Sequence, residues 1–314
     1  LLRRQDRPPS VGGVRADSRY QRSPVAGGHA GEKLHKALGS RVHVNVIPLP
    51  RASGHNETVR RVRLVPGTTS PLRYRSAADL DLLIVRENSE GEYSEIGGVH
   101  QRGRPGEFVL QESVFTRAGC ERIIRYAFDR ARERGKGLCS ATKSNGLIHS
   151  MPYWDSIVEQ VAADYPEVPV RHMHVDALAA EIVLHPDRLD VIVGSNLFGD
   201  ILSDLAAAVT GGLGLAPSGN INPDGTAPSM FEAVHGSAPD IAGQGIANPV
   251  AQILAAAMML EHLGERSAAA AIDRAVCEVL GSAAVLTPDL GGTVTTSELG
   301  AAIATAAAAA LARG

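Results

Sequence analysis

The stretch GSNLFGDILSDLA at residues 194–206 places two aspartates, Asp200 and Asp204, four residues apart among apolar side chains. On a helix these positions are neighbours, so the two like charges repel each other weakly. Burying either carboxylate without a partner would cost far more. Two interpretations follow. In the first, the pair lies on a solvated face, or Asp200 is the helix N-cap with Asp204 just inside the first turn. In the second, a divalent cation lies between the carboxylates.

The segments around this stretch alternate between strand and helix patterns. Strands are predicted in DLDLLIVRE (79–87), GLCSATKSN (137–145), the first part of VPVRHMHVDALAAEIVLHP (168–186) and RLDVIVGSN (188–196). Helices are predicted at 117–135, ending at Gly135, at 153–166, in the second part of 168–186 and around Asp200, and a hairpin or extended arm at 97–115.

This alternation predicts an α/β architecture with substantial parallel pairing. Ligands of open α/β sheets bind beyond the carboxyl ends of the strands. Arg86, Lys143 and Asp200 each lie at or just after such an end. We therefore expect the functional site at this edge of the sheet.

Composition excludes several classes of function. The chain has 314 residues, 44% of them hydrophobic, and a formal net charge of −3, which offers no electrostatic argument for binding nucleic acid or a membrane. Its three cysteines are widely spaced, which is typical of a reducing cytoplasm and of neither a disulfide framework nor a zinc site. No apolar run reaches the ~20 residues of a membrane span.

The first 60 residues differ from the rest, with nine arginines, scattered proline and glycine, and four acidic residues. An arginine-rich, acid-poor start is one property of transit peptides, but the bias continues for too long and lacks an amphipathic period. The chain also begins with Leu, so a fragment with an atypical, disordered N-terminus is expected, with one strand in RVHVNVIP (41–48).

Four long motifs resemble the decarboxylating β-hydroxyacid dehydrogenases, which include isocitrate, 3-isopropylmalate, tartrate and D-malate dehydrogenases. They are VRENSEGEYSEIGG (85–98), SATKSNG (140–146), GSNLFGDILSDLAA (194–207) and FEAVHGSAPDIAGQGIANPVAQILAAAMMLEHLG (231–264). The resemblance runs in order over roughly residues 58–300. VRENSEGEYSEIGG and SATKSNGLIHSMPYWD (140–155) are most similar to the tartrate/D-malate branch.

The resemblance implies a two-domain fold of the isocitrate/isopropylmalate dehydrogenase type, which is not a Rossmann fold although it binds a dinucleotide. A cofactor-side domain is expected from residues 1–67 and 212–314. A central domain at 68–211 would carry the dimer arm and the catalytic residues. The family forms homodimers in which each active site contains residues of both subunits, so we expect the same here.

By the same resemblance, the substrate is a small 2-hydroxy dicarboxylic acid that is oxidised and then loses CO₂. Asp200 and Asp204 resemble the family's ligands for Mg²⁺ or Mn²⁺. Asp176 resembles a third ligand, supplied by the other subunit. A requirement for K⁺ remains open.

The acid–base and substrate-binding residues follow from the same motifs. Lys143, also from the partner, resembles the general base, and Tyr93 the acid that protonates the enolate carbon. Arg86 and Arg60 resemble the carboxylate-binding arginines, although Arg60 depends on aligning VRRVRLVPG (59–67), in which Arg61 replaces a usual proline. Asn145 is expected near the substrate or the nicotinamide amide.

HGSAPDIAGQGIAN (235–248) resembles the adenosine-binding loop of the family. The positions carried over are His235, Gly236, Ala238, Asp240 and Asn248. Asp240 can accept hydrogen bonds from a ribose diol and would repel a 2′-phosphate, so NAD is predicted rather than NADP.

The chain departs from the family in one respect. The usual Gly-Asp-Gly-Ile-Gly turn near the cofactor is not found in residues 1–57. Three hypotheses therefore remain: a tartrate/D-malate-type enzyme, a 3-isopropylmalate-type enzyme, and an inactive remnant with impaired cofactor binding.

Overall fold

The computed structural model of the protein describes residues 57–223 and 225–313. The strand predicted at 41–48 and the atypical segment 1–57, except Glu57, lie outside the described residues. None of the described helices has the length and apolar character needed to cross a membrane.

Nine strands and seven α-helices are found in the described ranges. The strands are β1 (Glu57–Arg63), β2 (Asp81–Glu87), β3 (Gly97–His100), β4 (Phe108–Gln111), β5 (Leu138–Thr142), β6 (Val170–His174), β7 (Val191–Gly194), β8 (Pro217–Ile221) and β9 (Met230–Ala233). The helices are α1 (Arg117–Arg134), α2 (Ser150–Ala162), α3 (Val175–Leu184), α4 (Asn196–Val209), α5 (Val250–His262), α6 (Arg266–Gly281) and α7 (Thr296–Ala312).

Seven strands form one mixed sheet in the order β6-β5-β7-β2-β1-β8-β9. The first four pair in parallel, whereas β1 is antiparallel to both β2 and β8, and β9 is antiparallel to β8. The α/β prediction is confirmed. Of the four parallel strands, β2, β5 and β7 are buried along most or all of their length, whereas β6 is partly exposed. The carboxyl ends of all four meet at one edge of the sheet.

Local signals explain the predicted elements. The α1 helix begins after Thr116, whose hydroxyl accepts a hydrogen bond from the Gly119 amide, and it ends at Gly135 with φ of 62°. A left-handed backbone suits glycine, which lacks a Cβ. The hairpin predicted at 97–115 is confirmed as β3 and β4, and all eight of its strand residues are exposed.

Two apolar clusters fill the interior. The larger lies on both faces of the sheet and includes Trp154, whose indole N–H donates a 2.9 Å hydrogen bond to the Ser140 hydroxyl. The smaller joins α5, α6 and α7 with Val65 and Leu215. Because the sheet continues from β2 through β1 to β8, it crosses both predicted domain boundaries, and the division at 67/68 and 211/212 stays a prediction.

Candidate active site

Most of the predicted catalytic residues lie at the carboxyl edge of the parallel strands. Arg86 is the second-last residue of β2, and Lys143 directly follows β5. Asp176 lies in the first turn of α3, which directly follows β6. Asp200 lies on α4, which begins two residues after β7. The order of the strands therefore brings these segments to one edge.

The two aspartates of the stretch 194–206 lie well inside α4. This helix begins at Asn196 with Ser195 as its N-cap, so the N-cap interpretation of Asp200 is wrong. The Asp200 side chain is 31% exposed and that of Asp204 is 56% exposed. Both carboxylates have arginine partners, so this surface of α4 is not a simple solvated face.

Arg86 is the most enclosed cation of the site, with 11% of its side chain exposed. Its Nη1 donates to Asp200 Oδ1, and its Nε and Nη2 donate to Asn196 Oδ1 at 3.2 and 2.7 Å. Burial lowers the pKa of Arg86, whereas the Asp200 carboxylate acts in the opposite direction. The guanidinium nevertheless stays protonated at physiological pH.

Arg60 projects from β1 towards the same helix. In the antiparallel register Thr58 pairs with Arg86 and Arg60 with Ile84, so both arginines lie on one face of the sheet. Arg60 Nη1 lies 2.8 Å from Asp204 Oδ1, and its Nη2 lies 3.6 Å from Asp200 Oδ1. Two guanidinium groups and two carboxylates thus converge at α4.

Tyr93 completes this group from the loop after β2. Its hydroxyl donates a 3.1 Å hydrogen bond to Asp200 Oδ2, and the Arg86 guanidinium carbon lies 5.6 Å from the ring centroid. Burial raises the pKa of the Tyr93 hydroxyl, and the Asp200 charge adds to the effect. The phenol therefore keeps its proton and can act as a donor.

Sequence reasoning missed Glu92, which attaches the Tyr93 loop to α4. Its carboxylate accepts hydrogen bonds from the Ser195 hydroxyl at 2.6 Å and from the Leu197 amide at 3.0 Å. A carboxylate at a helix N-terminus satisfies free amides and complements the helix dipole. In the sequence, only its position next to Tyr93 indicated a role for Glu92. Its hydrogen-bond partners could not be predicted, because they are more than 100 residues away in sequence.

Gly199, also missed, lets α4 approach β2. A Cβ at this position would lie 2.6 Å from Arg86 Cβ, closer than real carbon contacts allow. The absence of a side chain therefore permits the contact between the helix and the strand that carries Arg86.

Lys143 and Asp176 form a second group at the same edge. Lys143 Nζ donates a 2.7 Å hydrogen bond to Asp176 Oδ1, and this bond lowers the pKa of the carboxylate. The Asp176 side chain is two-thirds exposed. Asn145 lies in the exposed turn after Lys143. In the described part of the chain, no hydrogen bond or ion pair joins Lys143 or Asp176 to Asp200 or Asp204.

The predicted metal ligands are thus divided between the two groups. Asp200 and Asp204 offer carboxylate oxygens, the donors that Mg²⁺ and Mn²⁺ prefer. Within residues 57–223 and 225–313, no three His, Cys, Asp or Glu side chains converge to hold a metal ion. The two carboxylates present are of the right chemical type for these cations, and the third predicted ligand, Asp176, lies in the other group.

The predicted adenosine loop follows β9 on the surface. His235, Gly236, Ala238 and Asp240 are exposed, and Ala238 has φ of 41°, a left-handed conformation that is uncommon for alanine. A Cβ at Gly236 would meet no described atom within 4 Å, which leaves room for a ligand.

Asn248, in contrast, is buried at the base of this loop. Its amide donates a 2.9 Å hydrogen bond to Asp289 Oδ2, and its Oδ1 accepts one from the Val250 amide at the start of α5. Its visible role is to fix the end of the loop, and its role in binding the cofactor stays a prediction.

Residues 27–303 match the family described as isocitrate/isopropylmalate dehydrogenase. This match begins about 30 residues before residue 58, where the motif resemblance starts. The chain is also similar to the isocitrate dehydrogenase of Methylococcus capsulatus, with a TM-score of 0.77 and 41% identity over 86% of this chain and 78% of that one.

Curated relatives come from several branches. The chain is 53% identical over 251 residues to the D-malate dehydrogenase [decarboxylating] of Escherichia coli (strain K12), and 52% identical over 252 residues to the tartrate dehydrogenase/decarboxylase of Pseudomonas putida. It is 51% identical over 247 residues to the 3-isopropylmalate dehydrogenase of Thermobifida fusca (strain YX). Each alignment covers 78% of this chain and 69% of the relative. The resemblance inferred from the motifs is confirmed, but such close identities do not separate the branches.

Proposed function

We propose that this chain, which belongs to the isocitrate/isopropylmalate dehydrogenase family, catalyses the NAD-dependent oxidative decarboxylation of a small 2-hydroxy dicarboxylic acid. The substrate would be of the tartrate or D-malate type. The observation that carries the proposal is the convergence of Arg60, Arg86, Tyr93 and two aspartates on one face of α4.

The two arginines suit a substrate with two carboxylates. Each guanidinium is planar and presents N–H groups in a fork that matches a carboxylate. Arg86 and Arg60 already contact Asp200 and Asp204, so the arrangement holds both signs of charge close together. A dicarboxylate would bind to the free N–H groups of the guanidinium ions.

Asp200 and Asp204 would hold Mg²⁺ or Mn²⁺, with Asp176 of a second subunit completing the set. When bound, the cation supplies Lewis-acid stabilisation of the negative charge that develops on the substrate oxygens. The incomplete carboxylate set of a single chain supports this arrangement.

Lys143 would remove the proton of the substrate hydroxyl, and NAD⁺, when bound, would supply the hydride acceptor for the oxidation. The resulting β-keto acid loses CO₂ and leaves an enolate. Tyr93 would then donate its phenolic proton to the enolate carbon. Its hydrogen bond to Asp200 and its raised pKa keep that proton available near the substrate.

A homodimer would bring Lys143 and Asp176 of one subunit to the arginines of the other. The exposure of Asp176 and the partial exposure of Lys143 support this, as does the exposed apolar surface of Val99, Val109 and Leu110 on the β3–β4 hairpin. A second copy of the chain would cover this hairpin and remove its apolar side chains from water.

The loop from His235 to Asn248 would bind the adenosine part of NAD. The open space at Gly236 and the exposed Asp240 carboxylate support this assignment. A 3-isopropylmalate-type activity is the second candidate, since the Thermobifida fusca relative has nearly the same identity.

A substrate panel tests the proposal. The purified chain is assayed with NAD⁺ and Mn²⁺ on D-malate, both chiral tartrates, 3-isopropylmalate and isocitrate, while NADH and CO₂ are measured. We expect the highest kcat/KM with D-malate or a tartrate and none above background for Asp200→Asn. A preference for 3-isopropylmalate would support the second candidate, and turnover of none of these acids would contradict both.

A further inference from the structure

We propose that Asn196 is a positioning residue that sets the direction and preserves the charge of the Arg86 guanidinium. The inference rests on the proposed function, in which Arg86 binds a substrate carboxylate. Asn196 is the first residue of α4 and is 1% exposed, so it would not itself contact the substrate.

Asn196 occupies one edge of the guanidinium. Its Oδ1 accepts hydrogen bonds from both Nε and Nη2 of Arg86, at 3.2 and 2.7 Å. A guanidinium has five N–H groups, so two are held by Asn196 and one is directed at Asp200. The remaining two, one on Nη1 and one on Nη2, have no hydrogen-bond partner among the described residues and are the donors left for a substrate carboxylate.

The neutral amide is important for the charge of this group. An aspartate at 196 could accept the same two hydrogen bonds, but its negative charge would be buried against Arg86. Together with Asp200 it would leave the guanidinium with two carboxylates and a weaker attraction for an anionic substrate. An amide orients Arg86 without neutralising it.

The other end of the amide holds the loop that carries Tyr93. Asn196 Nδ2 donates a 2.9 Å hydrogen bond to the Glu90 carbonyl oxygen. Gly91 packs on the same residue, since a Cβ added there would lie 3.2 Å from Asn196 Cβ. One buried side chain therefore fixes the guanidinium and the segment leading to Tyr93 relative to α4.

Two variants and a control test the inference. Asn196→Asp keeps the size and the acceptor but adds charge and loses the donor to Glu90. Asn196→Leu keeps a similar size and removes both hydrogen-bonding functions. Thr210→Val is the control, because it removes a buried hydroxyl near the other end of α4 whose hydrogen-bond partners among the described residues are the Ala206 and Ala207 carbonyl oxygens.

We expect KM for the hydroxy dicarboxylate to rise about tenfold or more in both Asn196 variants, as for a lost hydrogen bond to a charged group. KM for NAD⁺ should change less than about twofold, since Asn196 has no described contact with residues 235–248. Thr210→Val should leave both KM values unchanged. If Asn196 had only a structural role, all three variants would have a lower melting temperature and a lower kcat. The KM for the dicarboxylate would then not rise selectively in the Asn196 variants.

Binding calorimetry with D-malate and Mn²⁺, without NAD⁺, separates the two proposals. If the parent chain has no dehydrogenase activity, the proposed function fails, and the calorimetric affinities still decide the role of Asn196. If Asn196→Leu does not fold, Asn196→Asp decides alone. The inference would be overturned if a folded Asn196 variant bound the dicarboxylate with unchanged affinity. It would also be overturned if the parent chain bound no dicarboxylate.

Discussion

Lys143 and Asp176 form a 2.7 Å ion pair across the ends of the neighbouring parallel strands β5 and β6. Neither side chain is bonded to Asp200, although all three lie at the carboxyl edge of the sheet. In the described chain the predicted site residues therefore form two separate groups, each of which would be a partial site in the proposed function. A symmetric dimer would combine the partial site of each subunit with the complementary one of the other.

Complementation between inactive variants tests this arrangement. Lys143→Ala and Arg86→Ala chains should each be inactive alone. After dissociation and mixing, hybrid dimers would contain one intact site, so about a quarter of the parent activity should return if exchange is random. The exchange itself is verified with two affinity tags, and a verified hybrid without activity would exclude action in trans.

Asp200→Asn should weaken Mn²⁺ binding by about tenfold or more and lower kcat by orders of magnitude, because a charged oxygen ligand is lost. Calorimetry measures the affinity for the metal. Asp187→Asn is the matched control. Asp187 lies in the segment that precedes β7, outside the site, and forms an ion pair with Arg75. Equal Mn²⁺ affinity in the two variants would show that Asp200 serves only its arginine and tyrosine partners.

The predictable part of the fold is the part encoded by local patterns. The buried runs of β2, β5 and β7 are apolar and end in polar residues, so both the strands and the site edge could be predicted. In contrast, β8 contains Pro217, Gly219 and Asn220, which disfavour strands, and its extended form depends on pairing with β1 and β9.

The site shows the same division. Arg86, Lys143 and Asp200 could be identified because each lies in a long motif at the end of an apolar run. Glu92, Asn196 and Gly199 could not, because each is explained by a contact with a residue about 100 positions away. Contacts of this kind arise from packing α4 on β2, which no local pattern describes.

NAD⁺ should be used with higher kcat/KM than NADP⁺. The exposed carboxylate of Asp240 lies in the turn Pro239–Ile241 and would repel a 2′-phosphate. Asp240→Asn should therefore lower the ratio of NAD⁺ to NADP⁺ efficiency, which initial rates with each cofactor measure. If Asp240→Asn does not change the ratio of NAD⁺ to NADP⁺ efficiency, Asp240 does not determine the choice of cofactor.

The pH dependence of Tyr93 can be predicted in sign. Burial and Asp200 raise the pKa of its hydroxyl above 10.0, the ordinary value for tyrosine. A raised pKa in the folded state means that the stabilisation is complete below the unfolded pKa and is lost as the pH rises through the folded pKa. The ultraviolet phenolate signal that is lost in Tyr93→Phe should therefore titrate above 10.0. Asp200→Asn should shift this titration downward, and a Tyr93 signal at or below the ordinary pKa would contradict the assignment.

Gly199→Ala and Gly300→Ala form a matched pair of helical substitutions with opposite expected signs. At Gly199 the new Cβ would lie 2.6 Å from Arg86 Cβ, whereas at Gly300 on α7 it would meet no described atom within 4 Å. Overpacking at a tight contact typically costs about 1–3 kcal/mol. Replacing a helical glycine by alanine without a clash stabilises by about 0.5–1 kcal/mol.

Urea unfolding should therefore give a lower free energy of unfolding for Gly199→Ala and a higher one for Gly300→Ala. Because the clash displaces the strand atoms that carry Arg86, Gly199→Ala should also raise KM for the dicarboxylate. Gly300→Ala should leave KM unchanged, since α7 contributes no residue to the site. A stabilised Gly199→Ala variant with unchanged KM would show that α4 and β2 can separate without disturbing Arg86, and would count against the close contact as a determinant of the site.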